Sequence, residues 1–311
     1  MPKIFSIAFY NLENLFDCEN NESTLDKDYT PDGIFKWDKI RYDEKINNLG
    51  LAISKIGERR SSVPPVFLGV CEVENESCVQ DLINTESLKP FDYQFFFHKS
   101  SDQRGIHIAF LFQKHHFDLL ETKVFSVDLN QDHGLDTTRD ILLIKGKLFG
   151  EQVSILLNHW PSRTDGTKKT DHKRIQAAKL ARLIITDLYA EDHQSKIIVM
   201  GDFNDDPLSK SVSKYLSDGF FNPMVSFQKE KKGSVKYKGK WIMFDQIMMN
   251  HELLDSNWFN YEGAHIYVAP FLTQKSGRHK GSPKRTYTGK YFQGGYSDHY
   301  PVFVYFKIDK E

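Results

Sequence analysis

Val199-Met200-Gly201-Asp202-Phe203-Asn204-Asp205-Asp206-Pro207 is the stretch on which the reading of this chain turns. The apolar run Ile197-Ile198-Val199-Met200 stops at Gly201, gives way to a carboxylate, an amide and two further carboxylates, and is closed by Pro207. Four apolar residues between turn formers read as a core strand leaving its sheet. Asp202 and Asn204 then stand in an exit loop at the mouth of the sheet, where open α/β folds place ligands. Hard oxygen donors in that position suit Mg²⁺, Mn²⁺ or Ca²⁺ better than softer metals. An Asp/Asn turn that bonds only its own backbone would carry the same residues. The stretch alone does not separate the two readings.

Working outward, other apolar runs end in the same way. Ile4 to Tyr10 reads as the first strand, ending at Asn11 with Glu13 just beyond. Val66 to Val70 ends in Cys71-Glu72, and Val153 to Leu157 ends in Asn158-His159-Trp160-Pro161-Ser162-Arg163. Trp241 to Phe244 leads into Asp245-Gln246 and then Ile247-Met248-Met249, so a carboxylate is expected inside an apolar strand, where it needs a partner. Ser297-Asp298-His299 precedes the last strand, Val302 to Phe306. Runs at 93–97, 106–112, 117–127 and 141–148, with a polar loop over 128–138, indicate mixed rather than purely parallel sheets. Two helices are predicted. One follows Trp37 with Ile40, Ile46, Leu49, Ile53 and Ile56 as its apolar stripe; the other covers roughly 168–190 with Ile175, Ala178, Leu183, Ile184 and Leu188.

The bulk properties bound the function. A net charge of −1 excludes a generic polyanion binder, so any nucleic-acid affinity must come from local clusters. Cys18, Cys71 and Cys78 are odd in number and lack metal-finger spacing, which fits a reducing compartment. No stretch approaches a membrane span, and Met1-Pro2-Lys3 runs straight into a segment too short for a signal-peptide core. The chain therefore reads as one domain over 1–311, cytoplasmic and monomeric, without a membrane partner.

Carboxylates at this density repel one another unless a cation neutralises them. Histidines beside them can serve as general base and acid. A Gly-x-Ser-x-Gly elbow and a Gly-rich phosphate loop are both missing, which argues against acyl transfer and nucleoside triphosphate chemistry. These parts suit metal-assisted hydrolysis of a phosphate ester.

Five motifs in order, Phe9-Tyr10-Asn11-Leu12-Glu13-Asn14, Cys71-Glu72-Val73-Glu74-Asn75, Asn158 to Arg163, Gly201-Asp202-Phe203-Asn204-Asp205 and Ser297-Asp298-His299-Tyr300-Pro301-Val302, resemble those of the endonuclease/exonuclease/phosphatase superfamily. The resemblance spans residues 5 to 303 and implies an α/β fold, a four-layer αββα sandwich of two mixed β-sheets flanked by helices. It further implies Glu72 as principal ligand of Mg²⁺ or Mn²⁺, with Asn11 and Asp298 close to that ion and one or two ions acting. Asp202 and Asn204 would hold the attacking water. His299, oriented by Asp245, would be base or phosphate-stabilising group, and His159 would bond a phosphate oxygen or protonate the leaving alkoxide. Arg104 and Arg163 would bind substrate. In this chain Glu13 stands where repair nucleases carry Asp, Cys71 where a Gln commonly precedes the metal Glu, and His107 where many relatives have an acid.

Basic segments near 229–240 and 275–290, interleaved with Tyr237, Trp241, Tyr287 and Tyr291, favour nucleic acid as substrate. A sugar, inositol or lipid phosphate ester on the same machinery is the alternative, and a non-catalytic binding scaffold a more distant one.

Overall fold

The computed structural model describes residues 4–21, 24–100, 102, 104–127, 139–163 and 166–308; the predicted polar loop over 128–138 lies outside them. In chain order the elements are β1 (Ile4–Leu15), α1 (Lys39–Ser54), β2 (Phe67–Val73), α2 (Glu76–Ile83), β3 (Tyr93–His98), β4 (His107–Gln113), β5 (Phe117–Phe125), β6 (Ile141–Leu148) and β7 (Glu151–His159). They continue with α3 (Thr167–Glu191), β8 (Ile197–Asp202), α4 (Lys210–Tyr215), β9 (Phe220–Phe221), β10 (Val235–Tyr237), β11 (Lys240–Ile242), β12 (Asp245–Asn250), β13 (Phe259–Ile266), β14 (Tyr287–Thr288), β15 (Tyr291–Phe292) and β16 (Val302–Ile308).

Two six-stranded sheets carry the fold, ordered β13-β16-β1-β2-β4-β3 and β5-β6-β7-β8-β12-β9. Each is mixed: β1 and β2 run parallel, as do β7 and β8, while their other neighbours are antiparallel. The inner faces meet through Phe5, Phe9, Phe67, Phe110, Leu157 and Met200. On the outside, α1 and α2 cover the first sheet through Leu49, Ile53, Val79 and Leu82. Helix α3 covers the second through Ala177, Ala181, Ile184 and Leu188. This is the expected αββα sandwich. The central strands read as unbroken apolar runs because both of their faces are covered, whereas the edge strands β3, β5 and β13 are partly exposed.

Three local expectations are corrected. Ile40 and Leu183 point to solvent, at 78% and 57% exposure, while Lys45 and Arg174 take buried places on the inward faces of α1 and α3. The rest of both predicted stripes is buried, apart from the half-buried Ile175, and each inward face also takes in a charged residue that hydrophobic spacing does not count. Strands β1, β2 and β8 also run further than their apolar runs, to Leu15, Val73 and Asp202. Asp245 opens β12 instead of interrupting an apolar strand, because Lys240–Ile242 belongs to a separate hairpin with β10.

Candidate active site

The extra length of β1 and β2 is bulged. Their pairing shifts register between Asn11 and Leu15, and the pairing of β2 with β4 shifts between Cys71 and Val73. Bulges re-aim side chains at sheet rims, and here they turn Asn11, Glu13 and Glu72 into one crevice. Among the described residues nine non-glycines have positive φ, and four of them, Glu13, Asn14, Glu72 and Asn204, lie at this rim. Such backbone costs of order 1 kcal/mol per residue and persists where the surroundings hold it. Asn14 N–H does so for Glu72, donating to Oε2 at 3.0 Å.

The second sheet contributes a single rung. His159, Asp202 and Asp245 are direct neighbours across β7, β8 and β12. Gly201 permits the approach of the strands, since a Cβ there would sit 2.1 Å from the Asn158 carbonyl oxygen. Asn11 Nδ2 bridges the sheets by donating to Asp202 Oδ2 at 3.1 Å, and Asn204 N–H donates to Asp202 Oδ1 at 2.9 Å. Asn204 Nδ2 is held by the Trp160 carbonyl at 3.0 Å. His299 Nδ1 lies 2.7 Å from Asp245 Oδ2, and Ser297 Oγ fixes the turn by accepting from His299 N–H while donating to the Asn11 carbonyl.

Electrostatics then sorts these groups. Burial pushes Asp202 up to about 7, helped by the charge of Asp245. Burial works against a charged His299, yet the Asp245 carboxylate overrides it and holds the imidazole well above its ordinary value. His159 goes the other way, driven well below by burial, then by the charges of Arg104 and His299. Its Nε2 lies 3.8 Å from Glu72 Oε1 and 3.9 Å from Asp202 Oδ2, and both ring nitrogens are buried without a hydrogen-bond partner among the described residues. His107 does not supply one, its Nδ1 being engaged by Ser100 N–H at 3.1 Å. Asp245 Oδ1 is likewise buried and unbonded.

Around this centre lies a second ring of contacts. Asp298 faces His299 Nε2 at 3.9 Å, and its Oδ2 accepts from Arg285 Nη2 at 2.7 Å. Arg285 Nε also bonds Glu13 Oε1 at 3.0 Å, and Thr286 N–H bonds Glu13 Oε2 at 2.6 Å. Lys45, fully buried, donates from Nζ to the Glu13 carbonyl and to Thr286 Oγ1. Sequence reasoning missed Lys45 and saw Arg285 only as part of a basic run, because Glu13, which both of them contact, lies 32 residues from the first and 272 from the second. Arg163 turns its Nε to the Asn204 carbonyl and its Nη2 to Asp205 Oδ1, so it holds the loop of β8. Arg104 pairs with Asp102 and stays partly exposed, near enough for its charge to act on His159.

A cleft of ≈ 810 Å³ opens beside Asp298, walled by the β10–β11 hairpin on one side and residues 274–288 on the other. Lys236, Lys238, Arg278, His279 and Arg285 line it together with Tyr237. The two basic segments thus face each other across a single opening.

A family profile described as endonuclease/exonuclease/phosphatase family matches residues 6–308. The chain belongs to that family. Among solved structures, an endonuclease/exonuclease/phosphatase family protein of Bacteroides thetaiotaomicron is 17% identical, with a TM-score of 0.63 and all of both chains covered. The mannosyl-6-phosphatase Bt3783 of the same organism is 18% identical, with a TM-score of 0.61 over 97% of this chain and 99% of that one. TDP2 of D. rerio, complexed with a single-strand DNA product, is 14% identical, with a TM-score of 0.59 over 98% and 99%. At these identities the likeness carries the fold alone. No curated protein matches the sequence. Membership in the endonuclease/exonuclease/phosphatase family makes the chain a phosphoric ester hydrolase by class, in a family that generally uses divalent metals. No described helix is long and apolar enough to cross a membrane.

Proposed function

We propose that this endonuclease/exonuclease/phosphatase protein is a divalent-metal-dependent phosphodiesterase that hydrolyses nucleic-acid backbones. The observation that carries the proposal is the meeting of Asp202, Asp245, His159 and His299 at one rim, next to a cleft whose walls are basic.

The donor set fits a hard cation. Glu72, Asn11 and Asp298 offer only oxygen and amide ligands, and the surrounding carboxylates leave Asp245 Oδ1 buried without a donor. These three residues would hold Mg²⁺ or Mn²⁺, which when bound supplies neutralisation of charge on the phosphoryl and leaving oxygens. The chain's own groups do the remainder. Asp202, pushed up to about 7, is matched to take the proton of an attacking water near neutral pH. Asn204, with its side chain fixed on Trp160, keeps the Asp202 carboxylate oriented through its N–H. His299 keeps its second proton because Asp245 stabilises the imidazolium, which makes it a charged donor to a phosphoryl oxygen and not the base. Neutral His159 has free ring nitrogens for the phosphate or the leaving oxygen. Water attacks phosphorus as the ester P–O bond opposite it breaks, and the departing oxygen takes a proton.

The basic cleft gives the substrate its class. Lys236, Lys238, Arg278 and Arg285 would contact about four phosphates of a single strand, so affinity should fall roughly fiftyfold between 50 and 200 mM salt. The test is Mg²⁺-supported cleavage of oligonucleotides beside inositol and sugar phosphates, with and without chelator, at both salt levels. Cleavage that is chelator-sensitive and steeply salt-dependent supports the proposal. Turnover surviving exhaustive chelation overturns the metal role, and a flat salt response with preference for small phosphates overturns the nucleic-acid role.

A further inference from the structure

Beneath the oxygen-rich rim lies a second set of ligands of different chemistry. One ligand atom each from Cys71, His159 and Asp202 lies within 4.8 Å of the other two, and all three residues are buried. The trio is held by the fold. His159 and Asp202 are paired across β7 and β8, Cys71 is paired with Asn11 across β2 and β1, and Asn11 joins the two sheets through its bond to Asp202. His159 also points to a ligand independently of the cysteine. It is 1% exposed, and neither ring nitrogen has a hydrogen-bond partner among the described residues. A buried polar group left unpaired gives up its hydration without replacement, so such an atom points to a partner that binds there.

We infer that Cys71, His159 and Asp202 form a site for a soft divalent ion of the zinc class, whose occupancy withdraws His159 and Asp202 from the hydrolytic reaction. The inhibitory consequence rests on the phosphodiesterase reading; the site itself does not. Sulfur, nitrogen and oxygen at about 2.0–2.3 Å from a tetrahedral ion are roughly 3.3–3.8 Å apart, which small rotamer adjustments bring about from the present spacing. Thiolate and imidazole select zinc over Mg²⁺, whereas the all-oxygen and amide set of Glu72, Asn11 and Asp298 selects the reverse. The two ions therefore use different ligands, and the zinc-class ion competes with the hydrolytic reaction, not with Mg²⁺, for Asp202 and His159. On binding, the Cys71 thiol gives its proton to solvent as the sulfur–metal bond forms, and a water completes the fourth position.

The test uses the full chain carrying Cys18→Ser and Cys78→Ser, stripped of metal and titrated with Co²⁺. A sulfur-to-cobalt charge-transfer band should appear, be displaced by Zn²⁺ and survive millimolar Mg²⁺. Adding Cys71→Ser or, where that variant does not fold, Cys71→Ala should abolish it. Absence of the band, or its persistence without Cys71, overturns the site. In the second arm Zn²⁺ inhibits Mg²⁺-supported turnover, and Cys71→Ser raises the half-inhibiting zinc concentration at least about tenfold while basal turnover stays as it was. Equal zinc sensitivity in both proteins would overturn the inhibitory role by showing that zinc acts at Glu72. If no phosphate ester is hydrolysed at all, the cobalt band still decides the site.

Discussion

Asp202 and Asp205 leave the same strand three residues apart, and both are almost completely buried. Their surroundings differ in kind. Asp205 is met on both oxygens: Arg163 Nη2 donates to Oδ1 at 2.5 Å, Ser211 Oγ donates to Oδ2 at 2.5 Å, and the Arg174 guanidinium forms an ion pair with Oδ2, its Nε at 2.9 Å. Even its carbonyl is bonded, by Gln246 Nε2 at 2.7 Å. Among the described residues Asp202 accepts only from Asn11 Nδ2 and Asn204 N–H; it sits on a rung with Asp245 and faces an imidazole that has no hydrogen bond among them. The first carboxylate is finished by the protein and locks α3 and α4 onto the loop. The second is left unfinished, and unfinished buried groups are where a protein keeps room for chemistry.

That contrast is broken most directly by exchanging each acid for its amide. Asp202→Asn should lower the rate of phosphodiester hydrolysis about 10²–10⁴-fold, the range for a lost general base, as should His299→Ala for the charged donor. Stability should hold or rise in Asp202→Asn, because the amide removes a carboxylate that burial disfavours. Steady-state rates and urea midpoints on the same preparations check both halves. A folded Asp202→Asn protein with near-normal rate would remove the residue from its proposed role. Asp205→Asn should behave in reverse. It leaves Arg174 buried with the half-exposed Asp171, at 3.7 Å, as its remaining counter-charge, a loss of up to about 3–5 kcal/mol, while the folded fraction keeps more activity than Asp202→Asn does. An unchanged midpoint would show that the donors around Asp205 regroup without it.

The same contrast explains what the sequence discloses. The sandwich is legible because buried strands covered on both faces must be unbroken apolar runs, and the residues that terminate them stand out against that background. Asp202 after Met200 and His159 after Leu157 are visible for this reason. Finished networks are hidden. Nothing local to Arg174 says that a helix buries it completely, since the buried carboxylate it pairs with, Asp205, is 31 positions away. Nor does the sequence mark the bulges that extend β1 and β2, because Glu13 and Glu72 are not residues that announce positive φ. Arg285 reads as one basic residue among several until Glu13 and Asp298 are found on either side of it.

Lys45 stands between the two regimes and gives the sharpest small test. It is buried like Arg174, yet its ammonium meets a carbonyl and a hydroxyl, not a carboxylate, through the Glu13 backbone and Thr286 Oγ1. Burial lowers it from 10.5 to about 8, against the opposing pull of Glu13 and Asp298. Between those two values the unfolded chain holds more protons than the folded one, so stability contributed at this position rises with pH across the window. The difference in unfolding free energy between the native chain and Lys45→Met should therefore shift in favour of the native chain from pH 8 to 10.5, by up to about 3 kcal/mol. Comparing the two proteins at each pH removes the tyrosines and other groups they share. Parallel curves would mean that the site carboxylates compensate the ammonium as fully as Asp205 compensates Arg174, and the unfinished region would then begin beyond Lys45, at Glu72 and Asp202.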